Sequence, residues 1–481
     1  MTTVDSQKRW LALIVLCLGD LMTVLDTTIV NVALPSIRMD LGFSQTSLVW
    51  VVNAYMLTFS GFLLLGGRLG DLYGHRRLFL TGIVLFTLAS LACGLTNAQA
   101  PLIAARAVQG LGGAIVSAVA LSLTMNLFTE QTERAKAMGI FGFVVASGGS
   151  IGVLLGGLLT DTLDWHWIFL VNLPIGVAVC AFSFILLPAG RGPAVAARLD
   201  IAGAVTVTVA LLLAVYAIVN GNEAGWTSAA TIGLLATALA LLILFLGIEA
   251  RVRSPIMPLG LFRRRNLTTA NVVGILWAAA MFAWFFISAL YLQLVLGYTP
   301  LQVGLAFLPA NLIMAAFSLG LSAKIVMRFG IKVPLVTGLL LAAAGLALFA
   351  LSPVDGNFIV HVLPGMTFLG LGAGMAFNPV LLAAMNDVAP SESGLASGVV
   401  NTSFMMGGAL GLAVLASLAD ASTGKLLSSG APQLLALNSG YHIAFVIGAV
   451  FAAAAALLSA VQLRAARQMP MHEGEIVNET L

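Results

Sequence analysis

The stretch GRLGDLYGHRRLFLTG at 67–82 returns 256 residues later as AKIVMRFGIKVPLVTG at 323–338, with Gly74 over Gly330, Arg76 over Lys332 and Thr81-Gly82 over Thr337-Gly338. Each copy ends one apolar run, turns through glycine and basic residues, and enters another apolar run. Shared hydrophobicity alone would not repeat glycines and cations at one offset. Farther on, Ala137, Gly139, Gly148, Gly149 and Gly152 recur 259 positions later as Ala396, Gly398, Gly407, Gly408 and Gly411, and the triplet GLG stands at both 110–112 and 370–372. The chain therefore reads as a duplication.

Of its 481 residues, 60% are hydrophobic and 9% charged, against roughly a quarter charged in an average soluble domain. Such a chain cannot clothe a water-facing surface, so lipid is its expected solvent. A spanning helix needs about 20 mostly apolar residues, and fourteen segments qualify: 10–34, 47–66, 77–96, 101–126, 137–160, 167–187, 200–220, 226–248, 267–292, 300–323, 333–352, 358–385, 394–420 and 439–462. Asp20 and Asp26 in the first segment, with no small-residue cleavage site behind a short apolar core, favour a retained helix over a signal peptide.

With fourteen spans both termini share one side. On that side fall nineteen of the 22 Lys and Arg residues, leaving Arg38 and Lys425 in opposite loops and Arg106 inside a helix. Basic loops stay in the cytoplasm, so both termini are expected there, in a bacterial inner membrane. The net charge of +3 is then a topology signal, and no nucleic-acid partner is expected. Cys17, Cys93 and Cys180 all sit in spans without metal-ligand spacing, and the five histidines lie mostly at span ends, so neither metal nor redox chemistry is indicated.

The expected architecture is an all-α polytopic protein in four parts: an N-terminal six-helix bundle at 1–187, an inserted helix pair with cytoplasmic linkers at 188–266, a C-terminal six-helix bundle at 267–463, and a tail at 464–481. Parallel six-helix repeats around a central cavity suit alternating access. The repeat is chemically uneven. Asp71 is matched by Met327 and Arg106 by Met366, which puts the ionisable groups in the first half.

A charge deep in a bilayer is costly and marks a functional hypothesis. Three are expected at depth: Asp20, about ten residues into its helix; Asp26, about eight residues from the outer end; and Arg106, about five residues into a helix descending from outside. Asp26 and Arg106 can meet. A structural salt bridge is one reading of that pair; a coupling switch is the other, since burial favours the neutral carboxyl and a guanidinium the charged one. Asp20, six residues from Asp26, need not share its face and is a candidate for the cavity. Gly67, Asp71, Gly74, Arg76 and Arg77 form a short cytoplasmic turn, read either as a solvated topology signal or as a gate in which Asp71 caps a neighbouring helix. Gly148, Gly152, Gly156 and Gly157 allow close helix approach, as plain packing or as a hinge seam. Candidate cavity residues are Asn31, Asn311, Trp284, Tyr291, Phe404 and Met405, whose aromatic and thioether surfaces suit lipophilic cations.

LDTTIVNVALPSI at 25–37, GRLGDLYGHRR at 67–77, LIAARAVQGLGGA at 102–114, GGSIGVLLGG at 148–157 and WHWIFLVNLPIG at 165–176 together resemble the major facilitator superfamily, and within it the fourteen-helix EmrB/QacA-type drug:proton antiporters. The resemblance implies an antibiotic-resistance or multidrug efflux antiporter that works by alternating access and uses the proton as its coupling ion, with no other cofactor. It assigns Asp26 to substrate and proton handling, Arg106 to proton coupling, Asp71 with Gly67, Gly74 and Arg76 to gating, and Gly152, Gly156 and Gly157 to the antiporter motif. Departures are Val153 where proline is usual, His166 where arginine is common, and a second half without a deep acid, in which Asn311 is the nearest polar candidate. The short outer segment at 421–438 argues against a periplasmic adaptor. The expected partners are small lipophilic or cationic molecules, protons and membrane lipid. A dedicated exporter of one endogenous metabolite or antibiotic stays open beside the multidrug reading. No nucleotide-binding loop or convergent nucleophile–base set supports an enzyme.

Overall fold

The computed structural model describes residues 6–128, 130–187, 200–252, 255–385, 388 and 393–463, apart from the side chains of Arg68, Asp71 and a few other helix positions. The linker 188–199, the tail 464–481 and the side-chain role expected of Asp71 lie outside the described residues.

Apolar runs of this length satisfy their backbone groups internally as helices, the one solution open to a single segment in lipid. In the first part of the chain these are α1 Ser6–Leu41, α2 Val49–Tyr73, α3 His75–Leu95, α4 Gln99–Leu127 and α5 Gln131–Thr162, then a short α6 Trp167–Leu170 that passes through Val171 into α7 Asn172–Leu186. The inserted pair is α8 Ile201–Ala224 and α9 Ala229–Glu249. The second part has α10 Arg265–Leu290, extended by a π-helical turn at Tyr291–Val295; α11 Pro300–Ala316, carried through another π-helical turn into α12 Ser322–Phe329; α13 Lys332–Phe349; α14 Leu363–Met385; α15 Ser393–Ser428; and α16 Gln433–Gln462. Among the described residues there is no strand.

Among the described residues twelve stretches are long and apolar enough to cross a membrane; α5 and α11 carry shorter apolar segments, Ile151–Thr162 and Pro300–Ala316. The α11–α12 rod is interrupted at Gly320, whose φ of 117° breaks the helical backbone, a conformation glycine adopts without penalty. Helix starts obey local chemistry. The Asp200 carboxylate accepts from the Gly203 N–H at 2.8 Å to cap α8, and Thr299 and Gln302 form a reciprocal capping box on α11.

Packing repeats with the sequence. α1 lies on α5 as α10 lies on α15, and α4 lies against α2 and α3 as α14 lies against α11 and α13. The shared glycines make these approaches possible. A methyl on Gly112 would sit 2.7 Å from the Phe86 nitrogen and one on Gly372 2.6 Å from the Ala342 nitrogen, positions that themselves stand 256 apart. Between two helices in lipid, small residues at the contact replace the hydrophobic drive available in water. The two halves meet along two seams, α2 on α15 and α5 on α11, and α8 packs on the first of them, against both α2 and α15.

Several boundaries differ from the sequence expectation. α1 continues past residue 34 to Leu41, so Asp26 is fifteen residues from its C-terminal end, not eight, and both aspartates flank the middle of the helix. α15 runs to Ser428 and α16 begins at Gln433, which leaves four residues where a loop at 421–438 was expected.

Candidate charge site between α1 and α4

α4 starts at Gln99, so Arg106 is two turns in, and Gln109 follows one turn later on the same face. Both side chains turn toward α1. Arg106 donates through Nη1 to Asp26 Oδ2, and the two side chains are 1% and 0% exposed. The same Nη1 reaches Gln109 Oε1 at 2.7 Å, and Arg106 Nε donates to the Val51 carbonyl of α2 at 2.8 Å. Gln109 Nε2 donates to Asp26 Oδ1 at 2.7 Å and to Ser90 Oγ of α3 at 2.7 Å. Asn172 Nδ2, at the head of α7, donates to the same Asp26 oxygen at 3.2 Å. The guanidinium lies over the Tyr55 ring at 4.6 Å and the Phe169 ring at 5.6 Å. One carboxylate thus draws donors from α4 and α7, and its partners reach α2 and α3.

The arrangement brings Asp26 and Arg106 together as the residues suggest. A buried ion pair repays its desolvation only when geometry is good and the remaining hydrogen-bonding positions are filled. Here Gln109, Asn172 and the Val51 carbonyl supply that filling, and Tyr55 and Phe169 wall it from lipid.

Asp20 occupies a second, smaller site. It is 4% exposed and accepts a hydrogen bond from Ser117 Oγ of α4, while Thr23 Oγ1 contacts Ser117 at 3.2 Å. Both aspartates therefore face α4, although their spacing puts them 120° apart around α1. The long Arg106 side chain and the short Ser117 reach them from one face of α4, eleven residues apart.

Buried acids occur beyond the three charges expected at depth. Asp200 and Glu249, at the start of α8 and the end of α9, are each 3% exposed, and Glu249 Oε2 accepts from the Met257 N–H at 2.9 Å. They hold helix and segment ends and lie far along the chain from the α1–α4 site.

The turn expected to gate is a one-residue link. Gly74, with φ 94°, ends α2 by donating to the Gly70 carbonyl at 3.0 Å and leads straight into α3. Arg76 stacks on the Phe184 ring at 5.5 Å, tying the turn to the end of α7, whereas Arg77 is exposed. Gly67 is half-buried opposite Ala118 of α4. The glycine row of α5 serves two helices. A methyl on Gly148 would meet Leu21 at 2.9 Å, one on Gly152 the Leu25 carbonyl at 2.7 Å and one on Gly156 the Ile29 carbonyl at 2.5 Å, whereas on Gly157 it would meet the Pro300 carbonyl of α11 at 2.6 Å. Val153, in the place of the usual proline, keeps this helix unbroken.

The expected cavity residues divide. Trp284 and Tyr291 are enclosed, at 0% and 1% exposure. Trp284 packs on Phe285 and Phe307, and Tyr291 donates to the Pro353 carbonyl at 2.9 Å. Aromatic area is cheapest to bury between helices, which is why α10 turns these rings inward. Asn31 is 5% exposed and bonds back to the Thr27 and Thr28 carbonyls of its own helix; Asn311 is 3% exposed. Phe404 lines a cleft in the C-terminal bundle, and Met405 is half-buried. Among the described residues no group of three His, Cys, Asp or Glu is arranged to hold a metal ion. Sequence reasoning passed over Gln109, Asn172, Ser90 and Ser117. Gln109 and Asn172 were inside quoted motifs, and their signal was a neutral amide in an otherwise apolar span.

The sequence model of the Major Facilitator Superfamily matches residues 16–412. The chain belongs to this superfamily. Members of the superfamily similar to it include the puromycin resistance protein of Streptomyces alboniger, 38% identical over 456 residues covering 94% of this chain and 90% of that one. The cephamycin export protein of Amycolatopsis lactamdurans is 39% identical over 462 residues, covering 95% and 93%. Among solved structures, an autoinhibited peptide transporter of the POT family aligns with a TM-score of 0.66 at 17% identity, over 94% of this chain and 96% of that one, which speaks to the fold. The superfamily fold and these relatives are those of multi-pass membrane transporters, not of enzymes.

Proposed function

We propose that this superfamily member is a proton-coupled antiporter of the inner membrane that exports small amphipathic molecules, cations among them, by alternating access, with both termini in the cytoplasm. The observation that carries the reading is the fully buried Asp26 held by Arg106, Gln109 and Asn172. A carboxylate so enclosed is expensive to keep charged, and a transport cycle that exchanges a proton for substrate gives it a reason to exist. Asp26 then binds the proton, Arg106 competes for the carboxylate, and Asp20 beside Ser117 is the next acid along the same helix pair. The turn at Gly67–Arg77, with Asp71, gates the cytoplasmic side, and the α5 glycines form the seam along which α1 and α11 shift. Export as the direction draws on the resistance and export proteins to which the chain is similar. On this reading α5 and the α11–α12 rod cross the bilayer too, giving fourteen spans in two six-helix bundles with α8 and α9 inserted.

Substrate-induced proton release from purified protein, followed with a pH dye, tests the proposal. Release is expected from the unmodified chain and lost in Asp26→Asn. Unaltered release in that variant would move coupling elsewhere, with Asp20 next. Efflux of a fluorescent cation in everted vesicles, abolished by a protonophore, tests the driving force.

A second reading, a dedicated exporter of one antibiotic, is favoured by the similarity to proteins whose names tie them to puromycin and to cephamycin. Efflux confined to one compound in a panel of unrelated lipophiles would select it.

A further inference from the structure

Among the described residues two hydrogen bonds run from one bundle to the other, and neither belongs to the charge site. Asn53, the fifth residue of α2, donates through Nδ2 to the Ala409 carbonyl of α15 at 2.9 Å. Gln293, in the π-helical turn that extends α10, donates through Nε2 to the Val32 carbonyl of α1 at 2.8 Å. Both lie toward the side away from the Gly67–Arg77 turn. Asn53 stands at the opposite end of α2 from that turn, and Val32 is nine residues before α1 ends and hands the chain to α2. The halves touch around the two bonds. A methyl on Gly408, beside Ala409, would sit 2.9 Å from the Met56 side chain of α2, and one on Gly304 of α11 would sit 3.2 Å from the Val153 carbonyl of α5.

A carbonyl has two lone pairs, so one inside a helix can accept from its own helix and from a side-chain amide as well. Each of these bonds can therefore break without orphaning main chain. The two amides differ in what closure leaves them. Gln293 is half-buried, whereas Asn53 is 0% exposed and its Oδ1 bonds to nothing among the described residues. An amide satisfied on one side only carries the desolvation cost of the other, and water admitted by opening would remove that cost. Asn53 thus closes its seam less firmly than an apolar residue of its size would. Gln293 is placed to hold. Its π-helical turn, and Pro35 three residues beyond Val32 in α1, are irregularities of the kind at which helices bend, so the bond joins the bundles where each helix yields most easily.

We infer that this amide pair sets the balance between closed and open on the side away from the Gly67–Arg77 turn: Gln293 is the clasp on α1, and Asn53 keeps the α2–α15 seam releasable. Both bonds break when that side opens. The inference rests on the alternating-access reading and adds to it the residues that tune its two states.

The test is the distance between spin labels on Met39→Cys of α1 and Leu434→Cys of α16, positions that are exposed. It is read by double electron–electron resonance on the full chain in lipid nanodiscs, with Cys17, Cys93 and Cys180 changed to alanine. At about pH 8, where glutamate is ionised, Gln293→Glu sets a carboxylate, which only accepts, against the Val32 carbonyl. The closed-to-open ratio should shift toward the longer distance by at least the roughly two- to tenfold that one neutral hydrogen bond supplies. At about pH 4 the protonated carboxyl can donate to Val32 in place of the amide, and the difference from the unmodified chain at the same pH should shrink. Gln293→Asn, one methylene too short to reach, should open the same side without adding charge. Adding Asn53→Leu to Gln293→Glu should bring the distribution back toward the shorter distance. Distributions in both Gln293 variants that match the unmodified chain at about pH 8, or a double variant that stays as open as Gln293→Glu, would overturn the inference. Distances are read without substrate or gradient. Gradient-driven efflux absent from the unmodified protein would sink the exporter reading alone, and unresponsive distances in a protein that does export would sink this inference alone.

Discussion

α1 meets α4 across charge, whereas the corresponding pair in the second bundle, α10 and α14, meets across hydrocarbon. The glycine pairs 110/370 and 112/372 set the register of α4 on α14, so Arg106 corresponds to Met366 and Gln109 to Leu369; the pair 82/338 makes Ser90 correspond to Leu346. On α1, Gly148 and Gly152 approach Leu21 and Leu25, while on α10 Gly407 and Gly411 approach Ile275 and Ala279, which puts Ala280 where Asp26 stands. Met366, Leu369 and Ala280 are 0% exposed and Leu346 is 1%. A methyl on Gly448 of α16 would have Leu346 at 3.5 Å and Ala280 at 4.0 Å, so these apolar mates do gather at one place. The corresponding place in the second bundle is thus filled by hydrocarbon, with no charge. Whether the Asp26 network holds the first bundle together or serves transport is decided by breaking it.

Breaking the pair from one side gives the largest effect. Arg106→Met installs the residue its counterpart already has and leaves Asp26 buried without its cation, which should cost about 3–5 kcal/mol of stability and abolish proton-driven efflux. Adding Asp26→Asn to that variant should recover much of the thermal stability and none of the transport. If the double variant unfolds as early as the single one, the network is structural and the comparison fails. Met366→Leu, a volume-conserving change in the apolar counterpart, should cost less than about 1.5 kcal/mol.

The glycine row sharpens the comparison at the next level. Gly152→Ala drives a methyl against the Leu25 carbonyl of α1, and overpacking of this kind costs about 1–3 kcal/mol. Gly411→Ala should cost as much, since it presses on the Ala279 backbone of α10. A role limited to packing predicts equal loss of transport in both; a seam that moves around the charged pair predicts a larger transport defect for Gly152→Ala at matched stability. Gly139→Ala is the control, because nothing lies within 4 Å of the added methyl, and removing a helical glycine should stabilise by about 0.5–1 kcal/mol.

Gln109→Leu copies Leu369 into the charged bundle and removes one of the donors to Asp26, at a cost of about 1–3 kcal/mol. Proton release should persist, displaced along the pH axis relative to the unmodified chain; release at unchanged pH would remove Gln109 from the coupling unit. The smallest stability effects are expected at the turn. Asp71→Asn should slow transport at nearly unchanged substrate affinity, and Met327→Ala, 79% exposed, should stay within about 0.5 kcal/mol of the unmodified chain. Loss of substrate binding in well-folded Asp71→Asn would end the gating role.

The all-helical fold, the order of the helices and the duplication were legible in one chain, because each follows from local quantities: the length of an apolar run and the period of a repeat. That Asp26 and Arg106 could meet was legible too, since a bilayer leaves two opposite charges few other places to go. What the linear pattern did not carry was everything that depends on which face of one helix meets which face of another. Gln109 and Asn172 come from two helices and are ordinary amides until they converge on the Asp26 carboxylate, with the Ser90 hydroxyl of a third helix accepting from both. Trp284 and Tyr291 resemble Trp277 in sequence, and only packing decides that the first two fill the interior while the third walls a cleft. Apolarity commits a segment to lipid or core by free energy of transfer, a property of its composition; partners are chosen by distances of a few ångströms between residues remote in the chain, and those exist only once the helices have packed.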